Sequence, residues 1–142
     1  MSAPIVVGYD GTDGAHAALA EALDLAGPLG AEVVLGFSRH VTPAGGEVAD
    51  LAAAQQERGR SILDEGVERA RAAGVAARGE LVAGRAADGL AALARAVGAR
   101  MIVIGSNGER PLRGVVLGST PYRLVHQAPV PVLVVRVADA GA

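Results

Sequence analysis

Two kinds of segment alternate along the chain. Short apolar runs, of the length of a strand buried on both faces, are separated by longer stretches in which Ala, Leu and Val recur every three to four residues, the spacing of one helix face. The short runs predict strands at residues 5–8, 31–37, 75–82, 101–104 and 130–137. The longer stretches predict helices from residue 13 to the Gly27–Pro28 pair, then over 47–73, 86–97 and 119–127.

This strand and helix alternation predicts a single α/β domain. With parallel strands and right-handed crossovers, 142 residues form a three-layer sandwich around a five-stranded parallel sheet. A strand order of 3-2-1-4-5 places the carboxyl ends of strands one and four side by side, where open parallel sheets bind ligands. In the second helix, Gly59 and Gly66 are expected to weaken the helix locally.

A glycine-rich loop follows strand four, within residues 101–120, MIVIGSNGERPLRGVVLGST. Gly105 is expected to let the chain leave the strand at backbone angles that other residues avoid. Gly108 and Gly118 lack a Cβ that would keep a ligand away from the main chain, and Ser119 is expected to cap the next helix. Two residues separate Gly105 from Gly108, and nine separate Gly108 from Gly118, which Ser119 follows. This spacing is more typical of a phosphate-binding loop than of a merely structural glycine turn.

The start of the fourth helix supplies donors for such a phosphate. Pro121 is tolerated in a first turn, so the amides near Ser119 and Thr120 are expected to point outward at the positive end of the helix dipole. Because all thirteen basic residues are Arg, phosphate charge falls to these amides, to a metal, or to Arg110 and Arg113 of the loop. These two arginines can either reach the β and γ phosphates or be solvated.

Asp10 lies at the carboxyl end of strand one, and its role has two interpretations. As a helix-initiating acid it would have only a structural role. Across the crevice from a phosphate it would instead accept hydrogen bonds from ribose hydroxyls or hold a divalent cation, Mg or Mn, that accompanies a nucleotide.

The three histidines share no ligand spacing, and no protein metal site is predicted from His16, His40 and His126.

Composition narrows the classes of partner. The net charge of −2 gives no basic field for nucleic acid or membrane surfaces, and no apolar run approaches the ~18 to 20 residues that span a bilayer. No N-terminal secretion signal is present, so a cytoplasmic protein is expected. With no Cys, thiol chemistry and disulfides are excluded, and without Lys so are a P-loop lysine and Schiff bases.

The loop also resembles the nucleotide-binding motif of universal stress proteins of the ATP-binding subgroup. The opening IVVGYDGT resembles that family's first strand and its acidic end, and the likeness covers nearly the whole chain. The resemblance implies a Rossmann-like, adenine nucleotide alpha hydrolase-like fold, ATP as the ligand, and Asp10 as a nucleotide contact. It also implies that Phe37 lies where main-chain groups meet adenine, with its side chain in the core. The implied role is that of a stress-linked regulator.

The fifth strand is predicted as the edge of a homodimer. Its flat apolar run begins at Val132 and ends at Val137, and an unprotected edge of that kind pairs readily with another chain. The resemblance implies a homodimer as well.

Several alternatives to an ATP-binding regulator stay open. They are a slow ATPase and a regulator that binds cyclic AMP or another phosphate ligand, and no catalytic residue is assigned. A dinucleotide Rossmann site is disfavoured because its glycine loop follows the first strand, not the fourth. A serine hydrolase is disfavoured because the chain has no G-x-S-x-G elbow.

Overall fold

The computed structural model describes residues 2–39, 48–106 and 117–137. Its strands and helices alternate from one end of the chain to the other. They are β1 Ile5–Gly8, α1 Asp13–Leu29, β2 Val33–Arg39, α2 Val48–Ala72, β3 Ala77–Ala83, α3 Ala86–Val97, β4 Met101–Gly105, α4 Ser119–Gln127 and β5 Val132–Val135. The five strands form one parallel sheet in the order β3-β2-β1-β4-β5, which confirms the predicted fold class and topology.

Side chains on the two faces of the sheet form two separate cores. Alternate residues of β1 divide between them: Ile5 and Val7 pack with α1 and α2, whereas Val6 packs with α3 and α4. All three are fully buried. Helices therefore cover both faces, and the ends of β1 and β4 meet between the layers.

The first helix ends later than predicted. It continues through Pro28 to Leu29 and stops at Gly30, whose φ of 63° is left-handed and whose N–H donates to the carbonyls of Ala26 and Gly27. The prediction was wrong because Gly27 has no Cβ to clash with the proline ring, so this residue can keep helical angles before a proline. The left-handed Gly30 then supplies the stop.

Four strands also differ from their predicted bounds, and β4 does so only by ending at Gly105, one residue later than predicted. Strands β2 and β3 start two residues later than predicted and run on together until Arg39 pairs with Ala83. Strand β5 is shorter, since it starts at Val132 and ends at Val135, the partner of the last residue of β4. Of the predicted dimer edge, Val137 therefore lies outside the strand.

Gly59 and Gly66 have a role that the sequence did not indicate, because both are buried where α2 lies against the sheet. A Cβ at Gly66 would overlap Cδ2 of Leu35 and lie 2.8 Å from Cε2 of Tyr9. At Gly59 it would lie 2.7 Å from Cδ2 of Leu81. The two glycines therefore let α2 approach the sheet closely, in addition to lowering its helix propensity.

Candidate functional site

A cavity of about 240 Å³ opens at the carboxyl edge of the sheet. It lies between the ends of β1, β2 and β4 and the first turns of α1, α3 and α4. Six residues predicted to bind a nucleotide line it, namely Asp10, Phe37, Gly105, Gly118, Ser119 and Thr120. The other three, Gly108, Arg110 and Arg113, lie outside the described residues.

One wall of the cavity is apolar and close-packed. Gly8, the last residue of β1, and Gly36, within β2, lie against α3, where a Cβ on Gly36 would lie 2.7 Å from Cδ2 of Leu90. A Cβ on Gly8 would lie 3.1 Å from Cδ1 of the same leucine and 3.3 Å from Cδ1 of Ile104. Bare main chain over buried leucine and isoleucine suits the face of a flat apolar ring.

The opposite side is the start of α4. Gly118 is the N-cap and has no side chain with which to cap, so Ser119 is the first helical residue and the prediction that it caps the helix was wrong. Gly118 is the cap because its carbonyl accepts the first helical hydrogen bond, from the N–H of Tyr122 at 3.1 Å. Within the described part of the chain, the N–H groups of Ser119 and Thr120 have no hydrogen-bond partner. These amides can bind an anion at the positive end of the helix.

The N-cap is fixed to the sheet from behind. The N–H of Gly118 donates to the carbonyl of Ser106 at 2.7 Å, and the N–H of Ser106 donates to the carbonyl of Val135 at 2.9 Å. Ser106 is itself buried directly after β4. The position of the two free amides is therefore set by β4 and β5.

Gly105 is needed for a different reason than predicted. Its φ does not lie in the left-handed region, so the expectation of unusual backbone angles was wrong. A Cβ here would lie 2.9 Å from the carbonyl oxygen of Gly14. Because that oxygen is main chain in the first turn of α1, the glycine lets α1 pack directly on the end of β4.

Asp10 has a structural bond and a free oxygen. Its Oδ1 accepts from the N–H of Thr12 at 3.1 Å and from the Thr12 hydroxyl at 2.5 Å. Thr12 in turn caps α1 by accepting from the N–H of Ala15 at 3.3 Å. Oδ2 of Asp10 accepts no hydrogen bond from the described residues. The helix-initiating reading therefore holds for one oxygen and leaves the other for a ligand.

Main-chain groups along β2 point alternately to its two neighbours. The carbonyl of Gly36 accepts from the N–H of Tyr9 on the β1 side at 2.9 Å, and the N–H of Val33 donates to Ala76 on the β3 side at 2.9 Å. Even-numbered residues therefore face β1. Since β1 has ended by this level, the N–H and C=O of Ser38 face the cavity without a main-chain partner among the described residues.

Ser38 is thus better placed than Phe37 to meet a ligand with its main chain. The main chain of Phe37 faces β3, and its side chain packs against the core beneath α2. The hydroxyl of Ser38 donates to the carbonyl of Gly84 at 2.5 Å, which ties the end of β2 to the turn before α3. Sequence patterns missed Ser38, because only the pairing register shows which side each residue faces.

A charged cluster lies behind the cavity and was also missed. The buried Tyr9 donates its hydroxyl to Oε1 of Glu65 at 2.8 Å. The same oxygen accepts from Nε of Arg69 at 3.2 Å and lies 3.2 Å from Nε2 of His16. Burial, and then the bond to Glu65, raises the pKa of Tyr9, while the hydrogen bond from Tyr9, followed by that from His16, lowers the pKa of Glu65.

The raised pKa of Tyr9 predicts an alkaline loss of stability. An unfolded tyrosine ionises near pH 10, whereas folded Tyr9 keeps its proton, so the stabilisation is complete below that pH and is lost as pH rises toward the folded-state pKa. Between pH 9 and 11 we expect the free energy of unfolding to fall more steeply in wild type than in Tyr9→Phe, by up to about 1.4 kcal/mol per pH unit. Urea unfolding at several pH values measures the difference.

The chain suits this measurement because it contains neither Lys nor Cys. Tyr122→Phe, at a tyrosine that is 58% exposed, is the control and should keep the wild-type pH dependence. Parallel pH profiles for wild type and Tyr9→Phe would contradict the role of the buried hydroxyl.

Over residues 2–39, 48–106 and 117–137, no group of three or more His, Cys, Asp or Glu side chains is placed to hold a metal ion. Within the same ranges, no helix is both long and apolar enough to cross a membrane.

Comparison with known proteins finds one family. Residues 1–136 match the family model described as the universal stress protein family. A universal stress protein of Mycolicibacterium smegmatis is 31% identical over 140 residues, which covers 94% of this chain and 45% of that protein. The chain therefore spans less than half the length of this relative.

Two similar solved structures contain nucleotides. A universal stress protein in complex with cAMP is 29% identical, with a TM-score of 0.74 over 94% of this chain and 98% of that one. The universal stress protein of Archaeoglobus fulgidus in complex with dAMP is 26% identical, with a TM-score of 0.72 over 94% of this chain and 98% of that one.

Proposed function

The chain belongs to the universal stress protein family, and we propose that it binds ATP in the cavity at the carboxyl edge of its sheet. Occupancy of the site then acts as a stress-linked signal by changing the dimer or its partners. The observation that carries the proposal is the pair of free amides on Ser119 and Thr120, which share one cavity with the free carboxylate oxygen of Asp10. An anion and a hydroxyl-bearing group can be bound there together.

The base is assigned to the apolar wall and to Ser38. The N–H and C=O of Ser38 both face the cavity, so they offer a donor beside an acceptor. Adenine presents the complementary pair, a ring nitrogen that accepts and an exocyclic amine that donates. Gly8 and Gly36 let Leu90 pack directly on the strands, and Leu90 and Ile104 line the cavity as an apolar surface for the flat ring.

The sugar and phosphates then span the cavity. Oδ2 of Asp10 is proposed to accept from the ribose hydroxyls or to hold the Mg or Mn that accompanies the nucleotide. The α4 amides are assigned to a phosphate, and the relatives solved in complex with cAMP and dAMP support a nucleotide as the ligand. Gly108, Arg110 and Arg113 are proposed as further phosphate contacts.

Asp10→Ala is the test of this assignment. We expect this substitution to weaken ATP binding by about 1 to 3 kcal/mol, the cost of losing a charged hydrogen bond. The binding of inorganic triphosphate should be unchanged. Calorimetric titration of both ligands measures the split. Equal losses for the two ligands in buffer without a divalent metal would show that Asp10 acts only through the helix cap, and a wild type that binds neither would refute the proposal. Mass spectrometry of ligand carried through purification, with cyclic AMP as a competitor, identifies the nucleotide.

Binding is favoured over turnover. Asp10 is the one carboxylate among the described residues that line the cavity, and it is already assigned to the sugar or metal. Efficient hydrolysis needs a general base directed at a water. ATP is therefore proposed to be held, with slow hydrolysis as the alternative that phosphate release in the same samples would reveal.

A homodimer through β5 is part of the proposal. This strand is at one end of the sheet order, so one of its sides is unpaired within the sheet. The carbonyls of Pro131 and Val135 accept from β4, so main-chain groups of odd-numbered residues face inward and those of Val134 face outward. An outward edge of this kind can pair with a second copy.

Val134→Pro is expected to produce a monomer. Proline removes an outward N–H without removing a hydrogen bond to β4, and edge strands tolerate proline. Sedimentation at micromolar concentration should show a dimer for wild type and a monomer for the variant. Val134→Thr keeps the N–H and the branched side chain, so it should remain a dimer. A monomeric wild type, or a dimeric folded Val134→Pro, would contradict the proposal.

A further inference from the structure

Glu65 contacts both sides of the loop that carries Asp10. Its Oε1 accepts the hydroxyl of Tyr9, which precedes that loop, and lies within hydrogen-bond distance of Nε2 of His16, which follows it in α1. Arg69, one turn further along α2, donates to the same oxygen. One carboxylate oxygen thus joins the end of β1, the first turns of α1, and α2.

The loop has few other anchors. Tyr9 donates its N–H to the sheet, but among the described residues the main-chain groups of Asp10 and Gly11 make no hydrogen bond to a main-chain partner. The bonds from Thr12 to Asp10 are internal to the loop. Its position therefore depends on how its two flanks are held.

Helix α2 is packed against this region closely enough to hold it. Gly66 leaves no space for a Cβ beside the ring of Tyr9, and a Cβ at Gly11 would lie 3.5 Å from Cγ2 of Ile62. The Tyr9 side chain is 1% exposed, and its hydroxyl donates to Glu65. Loss of the carboxylate would remove the partner of this hydroxyl, which favours movement of the ring.

We propose that Glu65 is a positioning residue for nucleotide binding: from the outer surface of α2 it fixes Tyr9 and His16, and so aims Asp10 into the cavity. The inference rests on the proposed function, since it assigns Glu65 to the sugar or metal side of that same site. Glu65 does not line the cavity, whereas its partner Tyr9 and Asp10 both do. The proposal assigns the effect of Glu65 on a ligand to the position of Asp10.

The first experiment uses protein without ligand. Amide exchange at Thr12, whose N–H is bonded to Asp10, should become faster in Glu65→Ala. Glu65→Gln keeps an oxygen acceptor for Tyr9 and should restore slow exchange. Glu68→Ala is the matched control, because Glu68 lies on the same helix, is 74% exposed and pairs only with Arg71 within the described part of the chain.

The second experiment measures ligands. Glu65→Ala should weaken ATP about three- to tenfold and leave inorganic triphosphate unchanged, the same split as Asp10→Ala. In the Asp10→Ala background, Glu65→Ala should have no further effect on ATP. A general loss of stability would lower the affinity for both ligands, and this loss would also be seen in the Asp10→Ala background.

The outcomes separate the two proposals. If wild type binds no ATP, the proposed function fails, while Thr12 exchange still tests whether Glu65 holds the loop. If ATP binds but exchange at Thr12 is equal in Glu65→Ala and Glu68→Ala, the role of Glu65 is overturned alone. Equal losses of ATP and triphosphate, or an effect that adds to that of Asp10→Ala, would overturn it as well.

Discussion

Gly118→Val is expected to abolish ATP binding in a protein that still folds. Gly118 is buried at the start of α4, lines the cavity and precedes the two free amides. Its φ of −69° and ψ of 174° are open to any residue, so valine acts through its volume and not through backbone strain. Exclusion of a phosphate from two amides removes about 3 kcal/mol or more, a loss of at least a hundredfold in affinity.

A graded series locates the effect. Gly118→Ala should weaken ATP less than Gly118→Val, because its side chain is smaller, and Ser119→Ala should weaken it least, because it removes a hydroxyl but keeps the amide. In these variants the affinity for inorganic triphosphate should fall in parallel with that for ATP, whereas in Asp10→Ala only the affinity for ATP should fall. Titration curves for Gly118→Val that match wild type, with an unchanged melting temperature, would place the phosphate elsewhere.

The anion end of the cavity could be predicted because it depends on local structure. Gly-Ser-Thr-Pro marks a helix start, and α4 begins at Ser119 and ends at Gln127, as expected. The cap was misassigned by one residue, since the choice between Gly118 and Ser119 depends on where the first helical hydrogen bond closes. Amides from a helix start are available in either case.

The base side and the supporting cluster could not be predicted in the same way. Ser38 faces the cavity because of the parity of β2 pairing and the early end of β1, and both are properties of the assembled sheet. Tyr9 and Glu65 are 56 residues apart and meet only when α2 packs beside β1. Single-sequence patterns show which face of an element is apolar, but not which polar residues meet across elements.

The fold was predictable because its pattern is repeated at every unit. Buried parallel strands require apolar runs, and each crossover requires a helix, so both signals agree along the chain. The boundaries of helices and strands were predicted less accurately where a single residue changes the local preference. Gly27 lets α1 pass through Pro28, and the end of β4 at Gly105 sets the end of β5.

Gly66→Ala is expected to destabilise the protein, although the same exchange stabilises most helices. Propensity alone favours alanine by about 1 kcal/mol. Here the new Cβ would overlap Leu35, which is fully buried, and would lie 2.8 Å from the ring of Tyr9, which is anchored by Glu65. Because both neighbours are buried, we expect the new Cβ to push α2 away from the sheet, at a cost of about 1 to 3 kcal/mol from overpacking.

The same helix offers a control for propensity at Ser61, which is exposed. Ser61→Ala should be more stable than Ser61→Gly by about 1 kcal/mol, and Gly66→Ala should differ from wild type in the opposite direction. Urea unfolding of the four proteins gives the free energies. Because Gly66 also lies against Tyr9, the substitution should weaken ATP along with stability. A Gly66→Ala protein that is more stable than wild type would show that α2 does not approach the sheet this closely.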